Sequence, residues 1–333
     1  MSVNDGALRR VYKKSVNHRT IYQKHTNKMN SIKYKQLADL VKHKSPYTRH
    51  RQICEDTRNF VNSYAVQGIM CRSTNGTLLA GVQLATGRRV VIKVISKQTE
   101  SQLINGRPVP LEIAMHQRVN GASEHIIELI GWYERRNDFV IILDFSTRHL
   151  NLVDYVAIFG PLSVAASLAV AKQLAQAADA MFRYDVCHRD LKHENVLIDH
   201  KTLQVKIIDF GCATYVRNRR QRLNSFRGTV EFTPPEFFAY GQCQAEKATV
   251  YSIGLITYFI SCSSIDQLTK SLPKKTTESC SKAPGAELKM LGRGKDSLLR
   301  LIKSCINSED QRVDLNYIIN QYPILPTEKT ILW

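Results

Sequence analysis

No stretch of this 333-residue chain runs to eighteen uninterrupted apolar residues, so the sequence predicts no membrane span. The best candidate, residues 250–260, is too short and is broken by Ser252, Gly254 and Thr257. The first residues are polar and basic and lack the apolar core of a secretory signal. The expectation is an intracellular chain, cytoplasmic and/or nuclear. Zinc-type spacing is also missing: the eight cysteines form no CxxC pair, and single scattered cysteines read as reduced, packed thiols. Ten prolines and sixteen glycines are too few for a collagen-like or low-complexity chain. A hydrophobic content of 43% excludes wholesale disorder.

Acidic residues are scarce. Lys and Arg number 47 against 29 Asp and Glu, giving a net charge of +18. Residues 1–60 hold 14 basic and 4 acidic side chains, which is +10 of that total. A second concentration is Arg217, Arg219, Arg220, Arg222 and Arg227. Such a balance suits nucleic acid, an anionic membrane surface or acidic proteins without choosing among them. It equally suits a solvated basic extension. Residues 1–58 lack sustained periodicity and are read as an extension, partly ordered at best, with a short helix expected over 31–41. Tyr12, Tyr22 and Tyr34 interleave its basic residues, which keeps a weak nucleic-acid reading open there.

From Phe60 the texture changes. Residues 61–70, 77–84 and 90–95 read as strands, with Asn75-Gly76 and Thr86-Gly87 as turns. A helix is expected over 111–119 and further strands over 126–132 and 139–143. The most helical stretch is 162–184, rich in Ala, Leu and Gln and free of Gly and Pro. Short strands follow at 196–198 and 205–208, then helices at 250–261 and 297–306. The layout is α+β: a small β-rich part over 59–143 and a larger helical part over 144–333.

One ordered set of motifs carries chemistry. His188-Arg189-Asp190-Leu191-Lys192-His193-Glu194-Asn195 is followed by Asp209-Phe210-Gly211 and then Pro234-Pro235-Glu236, while Val90-Val91-Ile92-Lys93 lies upstream. Here the sequence resembles the eukaryotic protein kinases, which share this order of motifs. The resemblance implies a bilobal kinase fold and use of ATP and Mg²⁺. Asp190 would accept the proton of the acceptor hydroxyl, and Lys192 would stabilise charge on the γ-phosphate. Asn195 and Asp209 would bind Mg²⁺, as hard oxygen ligands suit a hard ion. Lys93 would grip the α- and β-phosphates, held by an ion pair with Glu112 on the helix at 111–119. Glu236 would be structural, paired with Arg312.

Lys192 fits the Ser/Thr-specific pattern. Residues 143–156, the loop around Asn195 and Val250-Tyr251-Ser252-Ile253-Gly254 resemble the PIM group. Most kinases carry Asp at the position of Val250, and the PIM group carries Val. The resemblance spans about 60–322, with a shortened, Lys/Ser/Thr-rich segment between 261 and 297. These eroded features would suit a rapidly diverging lineage such as a viral kinase.

The phosphate loop departs from the pattern. Cys71 and Ser73 replace its first two glycines, and only Gly76 remains. Glycine lets backbone N–H groups approach phosphate. The loss motivates an alternative, a pseudokinase acting as a scaffold. Arg72 would either compensate beside the phosphates or face solvent. Met70 and Leu78 would pack on the adenine, with Leu143 as gatekeeper before Asp144-Phe145-Ser146. Protein Ser/Thr hydroxyls are the expected substrates. Asp154 and Glu194 stand where the PIM group reads basic residues, whereas the arginine cluster points to acidic partners. Ser225 is a candidate phosphorylation site for Arg189 to hold, and Thr229 is read as structural.

Overall fold

The computed structural model describes residues 48–73, 76–97, 101–104, 107–225, 227–262 and 296–321. The expected helix at 31–41, Asn75 and nearly all of the segment between 261 and 297 lie outside these residues. Two compact units emerge. The first takes the described residues up to Ile113 together with Glu128–Ser146, and the second takes Ala114–Ile127 and the described residues from Thr147 onward.

The first unit opens with helix α1 (Thr48–Ser63), which leads into strand β1 (Tyr64–Ser73). Strands β2 (Gly76–Gln83) and β3 (Arg89–Ser96) follow, then a hairpin of β4 (Ser101–Ile104) and β5 (Arg107–Pro110). Helix α2 (Leu111–Val119) begins in this unit, its residues from Ala114 belonging to the second, and β6 (Leu129–Glu134) and β7 (Asp138–Asp144) complete the series. The main sheet has the order β1-β2-β3-β7-β6, antiparallel throughout. Alternation along its strands makes two apolar faces. Val90, Ile92, Val140 and Ile142 form one, and Phe60 and Tyr64 pack onto it. Ile95, Phe139 and Ile141 form the other, covered by Val109 and Ile113.

Helix α1 differs from the sequence reading. Residues 61–63 are helical instead of strand, and the helix crosses the expected boundary at 58/59. Polar residues outnumber apolar ones in it, which hides its narrow buried stripe of Asp56, Thr57 and Phe60. The buried Asp56 carboxylate accepts a bond of 3.0 Å from the backbone N–H of Glu134. Phe60, Tyr64 and Tyr133 form a triangle of rings with centroids 5.8–6.0 Å apart. Burial, with Tyr133 beside it, pushes the Tyr64 hydroxyl up to about 12. The hairpin at 101–110 was also illegible, because Pro108 and Pro110 argue against a strand. An isolated two-stranded ribbon leaves edges on which proline is tolerated.

The second unit is mostly helical. Strand β8 (His149–Asn151) runs into α3 (Leu152–Phe159), where Asn151 caps the helix by accepting from Asp154 N–H at 2.8 Å. Helix α4 (Val164–Arg183) is capped by Ser163 and buried along most of its length. Then come β9 (Val186–Cys187), β10 (Val196–Asp199), β11 (Val205–Ile207), β12 (Thr214–Tyr215) and β13 (Arg222–Leu223). Helix α5 (Pro235–Tyr240), β14 (Cys243–Gln244), α6 (Ala245–Cys262), α7 (Asp296–Ile306) and α8 (Leu315–Gln321) follow among the described residues. The small sheets are β11-β10-β8, β12-β9 and β13-β14. Residues 126–128, expected as strand, are not part of β6. Ile126 makes a parallel bridge to Ile207, and the backbone bonds of Ile127 to Ile207 and of Ile207 to His125 hold residues 125–127 within this unit. No helix among the described residues is long and apolar enough to cross a membrane.

Candidate active site

In the first unit, Lys93 lies in the middle of β3, paired with Leu78 on β2 and Ile141 on β7. By alternation it shares the sheet face of Ile95 and Ile141, which the first turn of α2 covers. Glu112 in that turn therefore meets it, with Nζ–Oε1 at 2.5 Å. Lys93 is 5% exposed, so removing either charge would leave its partner poorly hydrated.

The hairpin of β1 and β2 keeps its register to the tip, with Cys71 opposite Leu78, Arg72 opposite Thr77 and Ser73 opposite Gly76. The Ser73 hydroxyl donates to Gly76 O at 3.2 Å. Gly76 has φ 134°, and a Cβ there would sit 2.4 Å from Val94 O, so this position demands glycine. Arg72 is exposed. Met70 is 43% exposed, and a register irregularity falls between Ile69 and Cys71. Leu143, opposite Val91 and Leu129, packs at the margin of the Ile95 cluster. The Asp144 carboxylate is engaged by Arg88 at 2.9 Å, and Arg88 also reaches Glu128 at 2.6 Å. The Asp144 backbone N–H donates to Glu128 O at 3.1 Å. The Arg88 partnership was not foreseen, since nothing in the spacing links residue 88 to 128 or 144.

The second unit gathers the catalytic-loop residues. Asp190 and Asn195 are both buried. Asn195 Nδ2 donates to Asp190 O at 2.8 Å and to Asp190 Oδ2 at 3.0 Å. Lys192 Nζ donates to Thr229 Oγ1 at 2.7 Å, and that hydroxyl donates to Asp190 Oδ1 at 2.8 Å. Lys192 Nζ also lies 3.5 Å from Asp190 Oδ2. Each carboxylate oxygen is thus steered by a donor and keeps lone-pair capacity for one more. Gly228, with φ 108°, lets the chain come close: a Cβ would stand 2.5 Å from Arg189 O. Neither Gly228 nor the strength of the Thr229 bridge is visible in the motif spacing.

His188 locks the loop from behind. Its Nδ1 accepts from Asp190 N–H at 3.3 Å, which leaves Nε2 to donate to Ile208 O at 3.1 Å. Its ring also meets Phe210 edge-on at 5.1 Å, and His116 stacks on Phe210 at 4.4 Å and 18°. The His116 contact was missed in sequence, although its place one turn after Glu112 was a usable signal. Phe210 is fully buried, while Asp209 adopts a left-handed φ of 63° and accepts from Gly211 N–H at 3.2 Å. Asp190 and Asp209 both act on Cys212: burial first, then these two carboxylates, push its thiol up.

The residues present in the second unit fit a magnesium ion. Asn195 spends its amide N–H₂ on Asp190, and its buried Oδ1 has no hydrogen-bond partner among the described residues. An orphaned amide oxygen together with the Asp209 carboxylate is a donor set of the kind Mg²⁺ takes when phosphates and waters fill the rest of its shell. No group of three or more His, Cys, Asp or Glu that could hold a metal ion occurs among the described residues.

Farther along, Glu236 at the start of α5 meets Arg312 through two bonds of 2.6 and 3.0 Å. Arg189 donates to Cys212 O at 2.7 Å and to Ser225 Oγ at 3.4 Å. The basic cluster is not one uniform surface. Arg219 is held by Asp179 at 3.0 Å and Glu246 at 3.4 Å, and Arg222 by Glu309 at 2.7 Å. Glu194 bonds His193 at 2.6 Å, which holds its carboxyl below the usual range.

The thiols give a direct check on this arrangement. Cys71 is exposed, whereas Cys187, Cys243 and Cys305 are buried, the last two pushed up to about 12 chiefly by burial. Brief iodoacetamide treatment of the native protein, read by peptide mass spectrometry, should label Cys71 well before those three. Equal labelling would contradict the packing described.

The protein kinase domain family matches residues 64–321 of the chain. Among curated proteins, serine/threonine-protein kinase pim-2 of Danio rerio is 28% identical over 218 residues, covering 62% of this chain and 70% of that protein. Serine/threonine-protein kinase prk-2 of Caenorhabditis elegans is 30% identical over 201 residues, 60% of this chain and 45% of that one. A probable serine/threonine-protein kinase KIN1 homolog of Encephalitozoon cuniculi is 28% identical over 211 residues, 61% of this chain and 36% of that one. The chain thus spans less than half of the latter two relatives. With its β-rich first unit, its helical second unit and a family match over most of its length, the chain belongs to the protein kinases.

Proposed function

We propose that this chain transfers the γ-phosphate of Mg-ATP to serine and threonine hydroxyls of proteins. The observation that carries the reading is the bonded set Asp190, Asn195, Lys192 and Thr229. Asp190 holds the acceptor hydroxyl and takes its proton, with its orientation fixed by Asn195 and Thr229. Lys192 places a positive charge beside that carboxylate and stabilises charge that develops on the transferred group. Lys93, kept extended by Glu112, binds the α- and β-phosphates. Asn195 Oδ1 and Asp209 would hold Mg²⁺, which when bound would neutralise phosphate charge. Met70, Cys71, Ser73, Gly76, Leu78, Leu143 and the Asp144 main chain line the nucleotide side of the first unit in this reading. Glu236 and Arg312 support the second unit. An intracellular location, cytoplasmic or nuclear, accompanies protein substrates of this kind.

A second reading, a pseudokinase serving as a scaffold, rests on Cys71 and Ser73 in place of glycines. Thermal denaturation with and without Mg-ATP, followed by turnover, separates the two. A ligand that binds only the folded state raises its stability by about 2.7 kcal/mol at a hundredfold excess over Kd. A raised melting temperature with turnover fits the kinase, a raised one without turnover fits the scaffold, and no shift contradicts nucleotide binding altogether.

A further inference from the structure

We propose a binding surface for single-stranded nucleic acid on the second unit, built by the end of α4 and the segment from Tyr215 to Arg220. It is separate from the phosphotransfer residues and does not depend on the reading given for them.

Local folding creates this surface. Tyr215, Val216 and Arg217 alternate: Val216 is fully buried, so Tyr215 and Arg217 point together to the outside. Tyr215 pairs with Val186, and Val216 N–H bonds Asp185 O at 2.8 Å, which lays the segment beside the end of α4. Tyr184, 49% exposed, lies two residues before Val186, the strand partner of Tyr215, which is 46% exposed. Arg118 joins them, donating to Tyr184 O at 2.5 Å and to Asp185 at 2.9 Å with its guanidinium 5.4 Å from the Tyr215 ring centre.

The next residues form a tight loop. Asn218 Oδ1 accepts from Arg220 N–H at 2.9 Å, and Gln221 Oε1 accepts from Arg217 N–H at 2.7 Å. Within the loop the arginines divide. Arg219 turns inward onto Asp179, Glu246 and the Phe182 ring. Arg217 and Arg220 are exposed and have no ion-pair partner among the described residues. Exposed Arg183 flanks them on α4.

Two half-exposed tyrosines, and two exposed arginines on the same segment as Tyr215, match what a single strand presents, unstacked bases and a phosphate chain. An acidic protein segment would use the arginines and have no need of the rings. A duplex would keep its bases stacked and out of reach of them. The net charge of +18 supplies the long-range attraction.

The test uses the full chain and a fluorescein-labelled oligouridylate, with anisotropy measured at increasing potassium chloride. Tyr184→Ala with Tyr215→Ala should weaken binding by at least about tenfold, in proportion to lost base stacking. Arg217→Gln with Arg220→Gln should lower the salt slope by about 1.4, roughly 0.7 for each phosphate released. Wild type and variants share the basic residues 1–60, so that contribution cancels. Melting temperatures report whether each variant is folded, and the arginine pair, exposed on a loop, stands in should the tyrosine pair unfold. Unchanged affinity and slope in the folded variants would overturn the proposal. So would equal affinity for a duplex or an oligoglutamate peptide with no effect of the tyrosine changes.

Discussion

Replacing Asp190 by Asn is expected to slow phosphate transfer by about 10²–10⁴-fold, the usual worth of a positioned general base. The substitution keeps the shape and one oxygen but removes the proton acceptor. The amide would also put a donor where Thr229 or Asn195 now donates to a carboxylate, at 2.8 and 3.0 Å. A rate constant for transfer at saturating Mg-ATP is the appropriate readout. Nucleotide binding should survive, because Lys93 and Glu112 form their own buried pair in the first unit. A mutant that loses nucleotide affinity but keeps its rate constant would assign Asp190 a binding role and contradict the account.

Arg312→Ala is expected to destabilise the second unit by about 3–5 kcal/mol, the cost of stranding a buried charge. All five guanidinium donors are used. Nε and Nη2 bond Asn307 O at 3.2 and 2.9 Å, Nη1 bonds Lys247 O at 2.9 Å, and the fork grips Glu236 at 2.6 and 3.0 Å. The guanidinium also lies 5.0 Å from the ring centre of Tyr251, whose hydroxyl burial pushes up. Alanine removes the cation and leaves the Glu236 carboxylate, itself 6% exposed, without a counter-charge. Lysine would restore charge but lose the planar fork, so it should recover only part of the loss. Urea denaturation checks both. If Glu236→Leu with Arg312→Met proves no more stable than Arg312→Ala alone, desolvation of a stranded carboxylate is not the source of the cost.

How far the sequence foretold this structure depends on whether local pattern or long-range contact decides each element. Helix α4 was legible because Ala and Leu dominate it and no Gly or Pro interrupts it. The strands carrying Lys93 and Leu143 were legible from their β-branched and apolar runs. Helix α1 was not, since its burial depends on Glu134 and Tyr133, some seventy residues away. The motifs named Asp190, Lys192, Asn195 and Asp209, but spacing alone does not reveal how they are held. The Thr229 bridge, the His116 stack on Phe210 and the Arg88 grip on Asp144 join residues distant in the chain. The five-arginine segment shows the same limit. Composition made it one basic cluster, whereas folding turns Arg219 and Arg222 onto carboxylates and leaves Arg217 and Arg220 in water.

The hairpin bearing Cys71 and Ser73 is where active enzyme and scaffold diverge. Its register survives to the tip, and Gly76 retains the one position where a side chain would strike Val94 O. Cys71 and Ser73 are small side chains and add little bulk to it. This argues that the two substitutions weaken nucleotide binding without abolishing it.

The most direct test is transfer of radiolabelled γ-phosphate from Mg-ATP to a mixed Ser/Thr protein substrate, with Lys93→Met alongside and phosphoamino acid analysis of the product. The account predicts label on serine and threonine from the wild type and none from Lys93→Met. A folded wild-type protein that transfers no phosphate while Mg-ATP raises its melting temperature would contradict it.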